Sequence, residues 1–218
     1  MASNPIHIRA LTLAVAAGWV LAVELAAGWW LQRTACPPLL LMGLARLLQA
    51  GGMLGVVVRL EGGLHAVGWA PRTWCAGLKK GACWAAGFAL VAGVAMGLAH
   101  LAGHDPLTTI RHPLPGEPSH LLLFFLVGGF IGPVAEEICF RGILYSFFRR
   151  WGVVPALIGS TAIFVALHAF HGIHYTQIVG GIVFALAFET SRNLMVPITI
   201  HVLGNLAIFT LSLTLTPL

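Results

Sequence analysis

Long apolar stretches separated by short polar ones set the pattern of this chain. Seven stand out: Ala10 to Leu31, Leu39 to Leu60, Gly81 to Leu101, His120 to Phe148, Val153 to Phe170, Gln177 to Phe188 and Met195 to Leu215. All but the sixth reach about 18 residues or more, the length at which an α-helix can cross the hydrocarbon of a bilayer. Residues 61–80 mix Gly, Pro, Arg and Lys with Leu and Trp, which suits an interfacial helix and leaves room for an eighth element. The expected fold is therefore all-α, a polytopic transmembrane helical bundle of about seven to eight helices. The first stretch follows Arg9 and resembles a signal peptide. It is too long for a cleaved hydrophobic region and no Ala-x-Ala site follows it, so a retained span is expected.

Composition agrees with the pattern. In 218 residues, 58% are apolar and only 9% are Asp, Glu, Lys or Arg, and the mean hydropathy is +0.90. These values exclude a water-soluble globule and a disordered tail. The formal net charge of +5 then reads as a record of orientation. If all seven stretches cross, Arg9, Arg59, Arg72, Lys79, Lys80, Arg149, Arg150 and Arg192 share one side, and Arg33 and Arg111 lie on the other. The positive-inside rule then predicts a cytoplasmic N-terminus, in the inner membrane if the source is prokaryotic. No basic run is longer than Lys79-Lys80 or Arg149-Arg150, so nucleic acid is not an expected partner; the lipid bilayer is. Cys36, Cys75, Cys83 and Cys139 are scattered and form no Cys-x-x-Cys. Glycine pairs at four-residue spacing, Gly51/Gly55, Gly77/Gly81, Gly93/Gly97 and Gly128/Gly132, are expected to let helices approach closely.

Against this background the polar residues inside the spans carry the information. A charge at the bilayer centre costs at least about 2.5 kcal/mol, so each needs a partner or a polar cavity. The fourth stretch carries Glu136, Glu137 and Arg141, the fifth His168, the seventh His201 and Asn205, and the first two Glu24, Arg46 and Gln49. Glu137 and Arg141 are spaced i, i+4 with the acid first, the favourable order for a pair along one helix. Glu136 points about 100° away from Glu137 and is free to face a neighbour. Pro133 removes a backbone donor and frees the carbonyl of Gly129, so a kink or restart is expected there, with both glutamates in a first turn. Phe164 and His168, and likewise His201 and Asn205, each share one helix face. A base, two imidazoles, a carboxamide and a guanidinium on three spans are the inventory for amide hydrolysis: a group to deprotonate water, donors for the oxyanion, and an acid for the leaving amine. Counting rise along the helices brings Glu136 and His168 to one level, nearer the face opposite the basic loops. It leaves His201 about 10 Å short unless the sixth-to-seventh turn enters the protein or a helix tilts.

These residues form three motifs in order: EExxxR at Glu136 to Arg141, FxxxH at Phe164 to His168, and HxxxN at His201 to Asn205. In them the chain resembles the CPBP superfamily of membrane proteases, which includes type II CAAX prenyl endopeptidases, Abi and bacteriocin-processing proteases, and proteases of C-terminal sorting tags. The resemblance runs from about Leu121 to Phe209. It implies a glutamate-dependent intramembrane endopeptidase in one membrane domain, 1–218, with N-terminal helices over 1–110 and a catalytic helical core over 120–218. In that scheme Glu136 and His168 activate a water, His201 and Asn205 stabilise the oxyanion, and Glu137, Arg141 and Phe164 support them. The implied partner is a protein or peptide substrate, prenylated or carrying a leader or sorting tag, and no cofactor is expected. Cys139 lies inside the first motif, but a thiolate in an apolar setting is disfavoured and no cysteine nucleophile is expected.

Two other functions use similar residues. A zinc protease could draw ligands from His168, His171 and His174, although H-E-x-x-H is absent. A proton-coupled transporter could use the same buried acids and imidazoles, although no inverted repeat is visible.

Overall fold

The computed structural model describes residues 7–168 and 175–215. Seven helices of 16 residues or more carry most of them: α1 Ala10–Leu31, α2 Pro38–Glu61, α3 Trp74–Leu101, α4 Pro118–Trp151, α5 Val153–His168, α6 Tyr175–Ser191 and α7 Met195–Leu215. The apolar sequence leaves backbone groups no solvent partner, and helices satisfy them internally. The chain is an integral membrane protein. Five helices, α1, α2, α3, α4 and α7, are long and apolar enough to cross a membrane. The other two, α5 with 16 residues and α6 with 17, are shorter; the sixth stretch is short as expected, and the fifth joins it.

The stretch expected to hold an interfacial helix does not. Residues Leu64–Val67 and Pro71–Thr73 form two 3₁₀ turns, and Trp74 to Lys80 are already the first turns of α3. Gly62 (φ 79°) ends α2 in a left-handed cap, a conformation glycine adopts without steric penalty. Gly68 (φ 72°) turns the chain where a Cβ would stand 2.9 Å from the carbonyl oxygen of Arg192.

One end of the bundle gathers the basic residues. Arg9 pairs with Glu61, Arg150 donates to the carbonyl of Ile8, and Lys80 donates to the carbonyl of Thr190. At this end the turn between α6 and α7 is drawn into the protein. Arg192 has φ 51°, the Leu194 N–H donates to Gly68 O at 2.9 Å, and Asn193 Nδ2 donates to Thr73 O at 3.0 Å. Leu194 is fully buried beside Val67, Ile138 and Ile143, and Gly142 lies against both Val67 and Leu194. His201 is seven residues beyond Leu194, about 10 Å of rise, and Glu136 and Glu137 precede Gly142 by a similar distance. The inserted turn lifts His201 to the glutamates.

Two of the four glycine pairs make close contacts. Gly77 and Gly81 of α3 lie against Met195, Val196 and Thr199 of α7, where a Cβ would come within 2.7 and 2.6 Å of a neighbour. Gly128 and Gly129 of α4 meet Phe209 and Leu206 of α7, and Gly132 meets the carbonyl of Val127 within its own helix. Gly51, Gly55, Gly93 and Gly97 have no described residue against them. Beyond its first turns α3 turns Leu90, Val94, Leu98 and Leu101 outward, as a lipid-facing helix would.

Candidate active site

Helix α4 supplies both glutamates and does not restart at Pro133. Its backbone stays right-handed, but the hydrogen-bond ladder widens to π-helical spacing over Val127–Ile131 and again over Ile138–Tyr145. The glutamates therefore lie mid-helix, in the intervening α-helical turn Gly132–Glu137, not in a first turn. The widened ladder accounts for the difference. The Gly132 N–H donates to Val127 O, so in the same register the carbonyl of Gly128 would need a donor on residue 133, which is proline. Asn205 Nδ2 supplies it from α7 at 2.9 Å. The orphaned carbonyl is that of Gly128, not of Gly129 as an unbroken α-ladder would give.

A relay of charged groups begins four residues on. Arg141 Nη1 donates to Glu137 Oε1 at 2.9 Å, and both side chains are fully buried. Arg141 Nη2 donates to Gly181 O on α6 at 3.2 Å. The same Glu137 Oε1 lies 2.8 Å from His201 Nδ1. Paired with a guanidinium, Glu137 is a carboxylate and only accepts, so Nδ1 of His201 carries the hydrogen. Three phenylalanines enclose the guanidinium: Phe164, Phe184 and Phe140 have ring centres 5.0, 5.2 and 5.8 Å from its carbon, within cation–π range. Glu137 Oε2 and Arg141 Nε have no partner among the described residues.

His168 is fixed in the same manner. Its Nδ1 lies 2.8 Å from the carbonyl oxygen of Phe164, an acceptor, so this nitrogen also carries a hydrogen. Its ring rests on Phe164 with centroids 4.5 Å apart. Each ring then turns its other nitrogen to one place: Nε2 of His168 and Nε2 of His201 each stand 3.8 Å from Glu136 Oε2. Glu136 and His168 are partly exposed, whereas His201 is buried.

The structure thus brings together Glu136, Glu137, Arg141, Phe164, His168 and His201. Asn205 joins them through the backbone of α4, by its bond to Gly128. Cys139 packs against the apolar core. His171 and His174 lie outside the described residues. Among the described residues no group of three or more His, Cys, Asp or Glu is arranged to hold a metal ion. Two contributors carry no signal in the sequence. Phe184 stacks on His201, with centroids 4.6 Å apart and planes at 22°. Gly181 offers its carbonyl to Arg141 from a position where a Cβ would come 2.7 Å from Thr161.

This constellation falls within a recognised segment. Residues 118–207 match the family model described as Rce1-like, type II CAAX prenyl endopeptidase Rce1-like. Over these residues the chain is similar to that family. The Rce1-like region begins with the first residue of α4 and includes Glu136, His168, His201 and Asn205, while α1 to α3 lie outside it. In coarse terms the match supports a CAAX-type membrane protease, a hydrolase acting on peptide or protein. No curated protein and no solved structure matches the chain significantly.

Proposed function

We propose that the protein is an intramembrane endopeptidase in which Glu136 activates a water, without a metal, to cleave a peptide bond in a substrate tail or leader. The observation that carries this reading is the convergence on Glu136 of two imidazoles whose Nδ1 hydrogens are held from behind. With neutral rings, both Nε2 atoms and the carboxylate are acceptors, and three acceptors facing one another call for donors between them. A water about 2.8 Å from Glu136 Oε2 and from one ring nitrogen fits a 3.8 Å separation.

Glu136 takes a proton from this water as the oxygen attacks the scissile carbonyl, with His168 aligning the nucleophile. The tetrahedral oxyanion needs donors. On a neutral ring whose Nδ1–H rests on Glu137, His201 Nε2 has no hydrogen. It donates to the oxyanion after taking a proton from solvent as substrate binds and returns it after collapse; the Glu137 carboxylate suits the cationic ring in between. Arg141 holds Glu137 in orientation through its Nη1 bond. Asn205 acts with His201 on the oxyanion side and holds the carbonyl that Pro133 leaves open. Collapse breaks the C–N bond, and the proton on Glu136 passes to the leaving nitrogen, which restores the carboxylate.

Mass spectrometry of membrane proteins from cells carrying either wild type or Glu136→Gln tests the reading. New termini that depend on Glu136 are expected, and their sequences distinguish a prenylated tail from a leader or a sorting tag. Identical termini in both cells would end it. Purified enzyme is expected to keep its activity in a chelator; loss on chelation with recovery on adding Zn²⁺ would move the mechanism to a metal.

A further inference from the structure

Helices α1 and α2 lie outside the Rce1-like segment, yet α2 packs along α4 and carries one arginine, Arg46, within two turns of the level of its glutamates. Helices α2 and α4 run in the same direction, since Gly43 abuts Val127 near the start of both and Val67, just past the end of α2, abuts Gly142. Counted from the Gly43–Val127 contact, Arg46 is three residues along and Glu136 nine. Arg46 therefore stands about six residues, roughly 9 Å, from the level of Glu136, on the side away from the basic end.

Only one corner of its guanidinium is committed. Nη1 donates to Glu24 Oε1 and to Gln49 Oε1, each at 2.5 Å. Gln49 is buried and is itself tied to Val20 O at 3.3 Å and to Glu24 Oε1 at 3.1 Å, so the corner is held firmly. Nε and Nη2 have no partner among the described residues, and the side chain is 29% exposed. Pinning α1 to α2 requires only the Nη1 corner. The free edge offers parallel N–H donors in a fixed fork, a shape that fits a carboxylate in bidentate fashion.

We propose that Arg46 is a specificity-determining residue whose free guanidinium edge binds a carboxylate of the peptide being cut at Glu136. This rests on the endopeptidase reading above. About 9 Å corresponds to two or three residues of extended peptide, so the carboxylate lies within that span of the scissile bond. It belongs either to the peptide's chain end or to an acidic side chain, and the same fork receives both.

The probes are synthetic peptides spanning a bond mapped by its dependence on Glu136, in three forms: with the native carboxylates, with the C-terminus amidated, and with nearby Asp and Glu replaced by Asn and Gln. For the wild-type enzyme, one of the two neutralised forms is expected to lose on the order of 10- to 100-fold in kcat/KM, mostly through KM. Which form loses identifies the source. Arg46→Gln is expected to show that loss already on the native peptide and little more on the neutralised one. Glutamine at this position can still donate to Glu24, and thermal melting checks the fold. Glu24→Gln, which weakens the α1–α2 pair while leaving Arg46 in place, is expected to keep the preference. Equal cleavage of all three peptides by wild type, or a preference that survives in Arg46→Gln, overturns the proposal while the endopeptidase reading stands. Wild type inactive on every form overturns both.

Discussion

Two acidic residues, Glu189 and Glu136, stand in polar clusters of opposite kinds. Glu189, near the end of α6, accepts from Tyr145 Oη at 2.7 Å, from Arg149 at 3.0 and 3.1 Å, and from Arg192 at 2.5 Å. Each of these partners is a donor, so both oxygens are satisfied and the cluster ties the ends of α4 and α6 together at the basic end of the bundle. Glu136 faces two ring nitrogens whose hydrogens are on the far side, each 3.8 Å away. A saturated cluster lowers the energy of one arrangement and has nothing left to offer. A cluster of convergent acceptors gains from a proton-bearing guest, and that is a condition for chemistry.

The sharpest test of this contrast is Glu136→Gln. Glutamine keeps the size of the side chain and removes the base, so activity is expected to fall by about 10³-fold or more while the melting temperature in detergent stays close to wild type. Near wild-type turnover would remove the distinction between the clusters. His201→Ala comes next, with an expected loss on the order of 10² to 10³ in kcat, the scale for an oxyanion donor. A change confined to KM would show that the ring only binds substrate.

Glu189→Gln is the converse experiment. Charged hydrogen bonds at a partly buried site contribute roughly 1.5 to 3 kcal/mol each in favourable cases, and exposure of the arginines lowers that figure. A destabilisation of about 1 to 2 kcal/mol is expected in thermal or denaturant melts, with kcat of the folded enzyme changed less than about threefold. Loss of turnover in a variant that remains folded would mean that the basal cluster acts on the catalytic end.

The sequence reveals the helices where apolar length alone decides them: α1 and α7 begin and end where the hydropathy pattern does. It is less legible where tertiary contacts decide. The inserted turn at Arg192 to Leu194 depends on Gly68 and Thr73, more than a hundred residues earlier, and no local pattern records that pairing. The site divides in the same way. Glu137 and Arg141 can be paired from i, i+4 spacing. The contact of Glu137 with His201 cannot, because it depends on how α4 and α7 pack. Pro133 signals a freed carbonyl, but which carbonyl is free depends on a π-helical register that spacing does not specify. Asn205 also holds that carbonyl, a contact that its spacing from His201 does not record.

Phe184 gives the smallest and most specific prediction, because it was silent in the sequence and touches the relay at two points. Its ring is stacked on His201 and lies 5.2 Å from the Arg141 carbon, so it restricts the imidazole to the plane in which Nδ1 meets Glu137 and Nε2 faces Glu136. Leucine fills much of the volume without the flat face. The lost aromatic contact is of order 0.5 to 1.5 kcal/mol, and if it acts on ring orientation Phe184→Leu should lower kcat about 2- to 10-fold. A general loss of packing would lower kcat by a similar factor whether or not His201 is present. In the His201→Ala background an orienting residue has nothing left to orient, so Phe184→Leu is expected to add no further loss there, a coupling that a double-mutant cycle measures directly. Additive losses would assign Phe184 to the apolar core alone and leave Glu137 as the one group that sets the ring.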